Sequence, residues 1–187
     1  MKLNTSQLSP GENSLAYASP RDKWVTELIT RISARGYQLS TPLEIAIRLT
    51  KIEPDFYMKG SMQCSVGLEC ARCAENFRFP LNQRFEIAFS QSNPKSGISK
   101  FKASADSDEL DINFFEGHEI NLSEVLEEQF FLAIPFQAIC SESCKGVCQR
   151  CGINRNTKEC LCDSQAVPNH FSVLTQYKLS GGSRGSS

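Results

Sequence analysis

The chain has 187 residues, 40% hydrophobic and 22% charged, with nine cysteines, two histidines and a formal charge of −1. That length accommodates one domain of roughly 100–200 residues whose core buries about 70% of the unfolded surface, so no staple is needed merely to fold. With 11 glycines and 8 prolines the composition is neither collagenous nor broadly disordered, and the near-zero charge excludes an indiscriminate polyanion binder, which needs a surplus of Lys and Arg.

Residues 1–19 are polar with little periodicity and read as a flexible N-terminal arm. MKLNTSQLSPGEN carries no apolar run behind its lysine, so the expectation is a cytoplasmic protein in a reducing compartment. From Pro20 the pattern changes. Trp24, Val25, Leu28, Ile29 and Ile32 recur at helical spacing and Gly36 supplies a stop, which predicts a short amphipathic helix with Trp24 covering core. Leu43, Ile45, Ile47 and Leu49 then alternate with Glu44, Ala46, Arg48 and Thr50, the period of a strand with one buried face, closed by a turn at Pro54-Asp55. An extended run from Phe56 to Leu68 contains Gly60 and Gly67, where a bulge or tight bend is expected. Phe77, Phe79 and Leu81, and later Phe85, Ile87 and Phe89, alternate again. Such a succession joined by short turns predicts an antiparallel sheet with these phenylalanines in its core.

Residues 90–108 are polar and turn-rich and read as a mobile loop in which Lys95, Lys100 and Lys102 form a weak positive patch. Leu110 to Ile120 looks extended. A helix starts at Asn121 or Ser123, with Leu122, Val125, Leu126, Phe130 and Ala133 on one face, Glu127 and Glu128 on its solvated side, and Pro135 as its end. The longest apolar-leaning stretch, Phe130 to Ile139, is about half of what a bilayer requires and is interrupted by Pro135 and Gln137, so no membrane partner is expected. Beyond Ile139 the chain is cysteine-rich. Phe171 to Leu179 reads as a short docking segment and SGGSRGSS as a flexible tail.

Cys70-Ala-Arg-Cys73 and Cys148-Gln-Arg-Cys151 have a two-residue spacer, which lets one tight turn aim two sulfurs at one point, as tetrahedral zinc demands. In Cys160-Leu-Cys162 an extended backbone points residues i and i+2 the same way. Cys148, Cys151, Cys160 and Cys162 therefore form one expected zinc site. Cys140 and Cys144, four apart, sit on one side of a helical turn and can meet Cys70 and Cys73 in a second site, clamping the C-terminal region to the sheet. A competing register places Cys144 in the C-terminal set and leaves Cys140 a buried thiol. Cys64 is the odd thiol, expected to be inert. Structural disulfides need an oxidising compartment. Neither C-x2-C opens a helix after a parallel strand, as a redox pair would. A nucleophilic cysteine has only His118 and His170 for partners, with no recognisable arrangement; His118 reads as a surface residue, His170 as a replacement ligand or simply polar. Sets of four cysteines leave no open coordination position, and no Walker loop, dinucleotide fingerprint, H-E-x-x-H or G-x-S-x-G occurs. Nothing points to an enzyme or a small-molecule substrate.

Glu69-Cys70-Ala71-Arg72-Cys73, Ile120-Asn121-Leu122-Ser123-Glu124 leading to Leu132-Ala133-Ile134-Pro135, Cys140-x3-Cys144-Lys145-Gly146-Val147-Cys148-x2-Cys151-Gly152, Cys160-x-Cys162 and Phe171-x2-Leu174 occur in order. Over about residues 40–179 this combination resembles the YceD family of large ribosomal RNA subunit accumulation proteins. The resemblance implies a factor needed for 23S rRNA accumulation or large-subunit biogenesis, with ribosomal RNA, the pre-ribosomal large subunit or a ribosomal protein as partner. Members that keep the C-x-R-C turn but lack the C-terminal pairs favour the grouping 70/73/140/144. The usual Leu before Asn in the zinc loop is replaced within Asn154-Arg155-Asn156.

The expected molecule is thus an α+β protein: a flexible arm at 1–19, an antiparallel sheet with packed helices over 20–139, a cysteine-rich zinc module docked on it over 140–179, and a tail at 180–187. Lys145, Arg150, Arg155 and Lys158, set against Glu142 and Glu159, form the expected RNA contact, although a solvated loop explains the same charges. The rival function is a zinc-ordered protein-interaction adaptor without RNA contact. Eight thiolates and two Zn²⁺ would add eight negative and four positive charges, taking the formal −1 to about −5, so any RNA contact rests on a local patch or on a partner.

Overall fold

The computed structural model describes residues 1–9, 11–52, 55–91, 111–115 and 117–162. Pro54 of the expected turn, residues 92–108 of the loop expected at 90–108, Leu110, His170, the segment Phe171 to Leu179 and the tail lie outside them, while Ser90 and Gln91 belong to a strand.

The core is built by alternation. In β4 (Glu44–Ile52) every second residue turns inward, leaving Ile45, Ile47 and Leu49 at most 2% exposed. β5 (Asp55–Glu69) and β6 (Asn76–Gln91) form a long antiparallel hairpin paired without interruption from Phe56↔Phe89 to Glu69↔Asn76. The bulge expected at Gly60 and Gly67 is therefore absent. Gly60 faces Phe85 across the ladder, and a Cβ there would overlap the Phe85 ring, so the glycine makes room for an aromatic on the neighbouring strand.

β2 (Gly11–Ala18) pairs antiparallel with β4, and β7 (Asp111–Phe115) lies parallel to β6, giving the order β2-β4-β5-β6-β7, with the short β3 (Gln38–Leu39) on β5. The parallel β6–β7 pair departs from the uniformly antiparallel expectation. β1 (Lys2–Asn4) pairs with β8 (Glu119–Asn121) in a separate two-stranded sheet. The loose arm expected at residues 1–19 is corrected accordingly. Its polar strands escaped periodicity because β2 is an edge whose inward residues are only half-buried, and because the partners of β1 stand more than a hundred residues away.

Among the described residues, two helices cover one face of the large sheet. α1 (Lys23–Ala34) buries Val25, Leu28 and Ile32, with Trp24 half-buried edge-on against Tyr17 at 4.8 Å. α2 (Leu122–Ala133) buries Leu122, Leu126 and Phe130. Glu127 does not sit on a solvated face as expected. It is buried between the helices, where Arg31 and Arg35 of α1 reach its carboxylate at 3.0 and 3.1 Å, while Glu128 is exposed. Among the described residues no helix is long and apolar enough to cross a membrane.

β4 pairs with β5 only up to Gln63, so the β5–β6 hairpin runs on past it and carries the residue 70–75 turn at its far end. The segment after α2 returns beneath that end, and the Ala71 N–H donates to the Ala138 carbonyl at 2.8 Å.

Candidate metal centres

At the hairpin tip the Cys70 N–H donates to the Glu75 carbonyl and the Ala74 N–H to the Cys70 carbonyl, both at 2.9 Å, folding Cys70 and Cys73 onto one side of the turn. Cys140 and Cys144 arrive from the segment after α2. They are not on a helical turn as expected. A tight turn in which the Cys144 N–H donates to the Ser141 carbonyl brings them around, because Pro135 has already ended the helix. The Sγ of Cys70 lies 3.8 Å from that of Cys144, and the Sγ of Cys73 lies 3.8 Å from that of Cys140.

Cys148, Cys151, Cys160 and Cys162 converge in a second tetrad, with Sγ separations of 3.5 Å for Cys151–Cys160 and 3.3 Å for Cys148–Cys160. Within each tetrad all four sulfurs lie within 4.8 Å of one another, so each can hold a metal ion. A tetrahedral zinc with Zn–S of about 2.3 Å requires sulfur–sulfur edges of about 3.8 Å. The Cys70–Cys144 and Cys73–Cys140 edges of the first tetrad have that length, and the Cys151–Cys160 and Cys148–Cys160 edges of the second are slightly shorter, so both donor sets are compatible with zinc. Cys144 stands with Cys70, not in the C-terminal set.

Backbone and amide donors point at the sulfurs. The Cys140 N–H reaches Cys70 Sγ at 3.3 Å, the Arg150 N–H reaches Cys148 Sγ at 3.4 Å, and the Cys162 N–H reaches Cys160 Sγ at 3.4 Å. Burial opposes ionisation of Cys70, but the N–H groups of Cys140, Arg72 and Cys73 outweigh it and bring the thiol down to about 6. The N–H groups of Cys151 and Arg150 bring Cys148 to about 6 as well. Cys140, hydrogen-bonded to the Cys144 sulfur, is pushed up to about 12, and Cys162, hydrogen-bonded to Cys160, likewise. Each tetrad thus pairs a readily ionised thiol with one that holds its proton, the proton a bound cation would displace.

Four residues outside the tetrads, none of them signalled as a contact by the sequence, tie the tetrads to the fold. The Arg72 guanidinium donates to the carbonyls of Glu142 and Cys144 at 3.3 Å, and its own carbonyl accepts from the Val147 N–H at 3.0 Å. Gly146, at φ +68°, passes so close that a Cβ would stand 3.0 Å from the Arg72 oxygen. Asn156, in the loop of the second tetrad, donates from Nδ2 to Cys144 Sγ of the first at 3.3 Å and accepts from the Lys145 N–H at 2.8 Å. Asn154 donates to Glu75 at 3.2 Å. Arg72 lies in the Cys-Ala-Arg-Cys string, Asn154 and Asn156 in Asn-Arg-Asn and Gly146 between Cys144 and Cys148, yet nothing local signals a contact between them.

Of the predicted RNA contacts, Lys145, Arg155 and Lys158 line one concavity of about 420 Å³ together with Glu159 and Leu161, whereas Arg150 is not among its lining residues. Cys64 stays apart, buried on β5 opposite Leu81, and His118 is exposed.

The family model for the large ribosomal RNA subunit accumulation protein YceD matches residues 58–178, which include both tetrads. The chain belongs to the YceD family. YceD-type relatives include the chloroplastic YCED homolog 1 of Zea mays, 26% identical over 157 residues, covering 73% of this chain and 54% of the relative. The corresponding Arabidopsis thaliana protein is 25% identical over 159 residues, covering 75% and 50%. An uncharacterized Mycobacterium bovis protein is 22% identical over 113 residues, covering 59% and 50%. The chain spans about half the length of the curated relatives it matches. No solved structure matches it.

Proposed function

We propose that this chain is a non-enzymatic factor supporting 23S rRNA accumulation and large-subunit biogenesis, with a structural Zn²⁺ in each cysteine tetrad. The reading is carried by the pair of four-sulfur clusters inside the YceD-matched region, which present a basic loop. Four thiolates fill the coordination sphere of a zinc ion, so the metal would fix the shape of residues 138–162 and leave no position for substrate. What that shape presents is the basic concavity. Lys145 is held at its backbone by Asn156, and Arg155 and Lys158 follow in the same loop. The partner is ribosomal RNA or the pre-ribosomal large subunit, touched locally because the zinc-loaded chain is acidic overall.

Metal analysis of the native protein should return two equivalents of zinc per chain; none would overturn the structural-zinc reading. A folded, zinc-loaded K145E/R150E/R155E/K158E variant should lose affinity for large-subunit precursors, and binding equal to wild type would remove the contact from this loop.

A second reading, a zinc-ordered adaptor that docks a ribosomal protein, is favoured by Phe136 and Leu161, which are 99% and 98% exposed. Salt separates the two. Affinity for precursor particles should fall steeply with ionic strength if RNA is the partner and barely change if an apolar protein face is.

A further inference from the structure

Among the described residues, the helices cover only one face of the large sheet. On the other, Ala16, Ala46, Ser61 and Arg84 follow one another across β2, β4, β5 and β6. The adjacent row is Ser14, Arg48, Lys59 and Glu86. These rows line an open concavity of about 860 Å³, with small side chains along β2 and cations beyond them.

The charges there are unevenly satisfied. Lys59 lies 3.0 Å from Glu86, which also accepts from the Tyr57 hydroxyl, so that carboxylate is taken. Arg48 and Arg84 are exposed and have no carboxylate partner among the described residues. Arg78 lies further along β6 on the same face, exposed and equally unpartnered, about 20 Å from Arg84 by strand rise. The line Arg48–Arg84–Arg78 therefore leads from mid-sheet to the hairpin end that carries Cys70 and Cys73. Of the other glutamates of this face, Glu12 and Glu69 stand next to and at strand ends, while Glu44 opens β4 in the row of Gln63 and Asn82, two strands away from the β6 arginines.

We infer that this sheet face is a second RNA surface, on which Arg48, Arg84 and Arg78 bind the phosphodiester backbone and lead it towards the metal module. Guanidinium suits the role because its planar fork donates two parallel bonds to phosphate. Small residues beside the guanidiniums let a bulky sugar-phosphate chain approach the sheet. The inference rests on the reading of this protein as an RNA-contacting factor, but it assigns contacts to different residues, so the two can fail separately.

The test uses the full zinc-loaded chain, titrated against polyuridylate and against a 23S rRNA transcript over a salt series. Three phosphate contacts on a single strand contribute about 2 to the slope of log affinity against log salt. R48Q/R78Q/R84Q should therefore lose about 2 from the wild-type slope on polyuridylate and bind both RNAs more weakly, with unchanged thermal unfolding and zinc content. K145E/R155E/K158E, measured beside it, reports the zinc loop. An unchanged slope in the sheet variant with a reduced one in the loop variant would overturn the sheet surface and leave the loop contact standing; the reverse would do the opposite. Wild-type protein that binds neither RNA would overturn both. Salt-sensitive binding to RNase-treated ribosomal protein, lost in R48Q/R78Q/R84Q, would assign the face to an acidic protein and overturn the RNA assignment.

Discussion

At Cys70–Cys73 and at Cys148–Cys151 the backbone closes in the same way. In each turn the first cysteine N–H donates to the carbonyl five residues on (Glu75, Ile153), and its carbonyl accepts from the N–H four residues on (Ala74, Gly152), at 2.8 to 2.9 Å. The residue four on has a positive φ in both, 58° at Ala74 and 71° at Gly152. Their surroundings differ. Cys70, Cys73 and Cys144 are 1%, 5% and 7% exposed and pack with Phe77 and Ile139, leaving Cys140 as the exposed member of the more buried tetrad, whereas in the other Cys151 and Cys162 are exposed and Cys148 and Cys160 half-buried. A turn motif fixes the direction of its sulfurs locally, while the energetic consequence of losing a metal there is set by what the rest of the chain has packed around it.

The largest effect expected from this difference is between serine replacements in the two turns. Zinc-coupled folding in finger peptides amounts to about 10–16 kcal/mol. Cys73→Ser removes a sulfur at the seam between the β5–β6 tip and the 138–147 segment, so it should lower the unfolding midpoint of the whole protein and undock that segment. Cys151→Ser should lose one zinc equivalent yet leave the main thermal transition near that of wild type. Circular dichroism melts with metal analysis check this, and equal destabilisation would abolish the distinction. A chelator should likewise empty the exposed tetrad first, seen as two phases of zinc release.

The contrast explains what could be read from the sequence. C-x2-C spacing and the period-two run Leu43–Leu49 are local patterns, and the cysteine turns, β4 and both helices lie where such patterns place them. The partition of eight sulfurs into two sets is half local: the C-terminal four lie within fifteen residues, whereas the hairpin tip meets Cys140 only because α2 folds back under β6. Three features had no local signature. The strand Gly11–Ala18 is polar and earns its place by pairing with β4; β7 runs parallel to β6; and Glu127 is buried only because α1 presents two arginines to it.

Next in size is the link between the tetrads. Asn156 belongs to the exposed loop but hydrogen-bonds the Cys144 sulfur, holding that thiol below its ordinary range. Removal of such outer-shell donors typically costs about 10- to 100-fold in metal affinity. Asn156→Ala should therefore weaken zinc binding at the buried tetrad by about tenfold or more, despite residing in the other loop. Competition with a chromophoric chelator measures it, and a loss confined to the exposed site would show that the tetrads are independent.

A smaller effect tests the shared backbone plan itself. Left-handed backbone costs a residue with a Cβ about 1–2 kcal/mol, partly offset in a swap to glycine by the greater freedom of the unfolded chain. Ala74→Gly should stabilise the protein by up to about 1 kcal/mol in denaturant titration. Gly152→Ala, where a Cβ would meet nothing within 4 Å, should cost a similar amount but appear only in the metal affinity of the exposed tetrad.

The smallest effect concerns the ninth cysteine, which separates burial from hydrogen bonding. Cys64 and Cys70 are both buried on the same hairpin, at 8% and 1% exposure. Cys70 is surrounded by N–H donors and ionises near 6, whereas burial alone pushes the Cys64 thiol up to about 11. The folded protein therefore holds the Cys64 proton more tightly than the unfolded chain does, where its value is near 9. Its contribution to stability is complete below pH 9 and declines as pH rises towards 11. The stability difference between wild type and Cys64→Ala should be constant from pH 7 to 9 and shrink above that, and iodoacetamide at pH 8 should leave Cys64 unmodified in the zinc-loaded protein. A difference already changing below pH 8, or rapid alkylation, would mean that Cys64 is reached by water or by a donor, and that burial alone does not separate the inert thiol from the metal-binding ones.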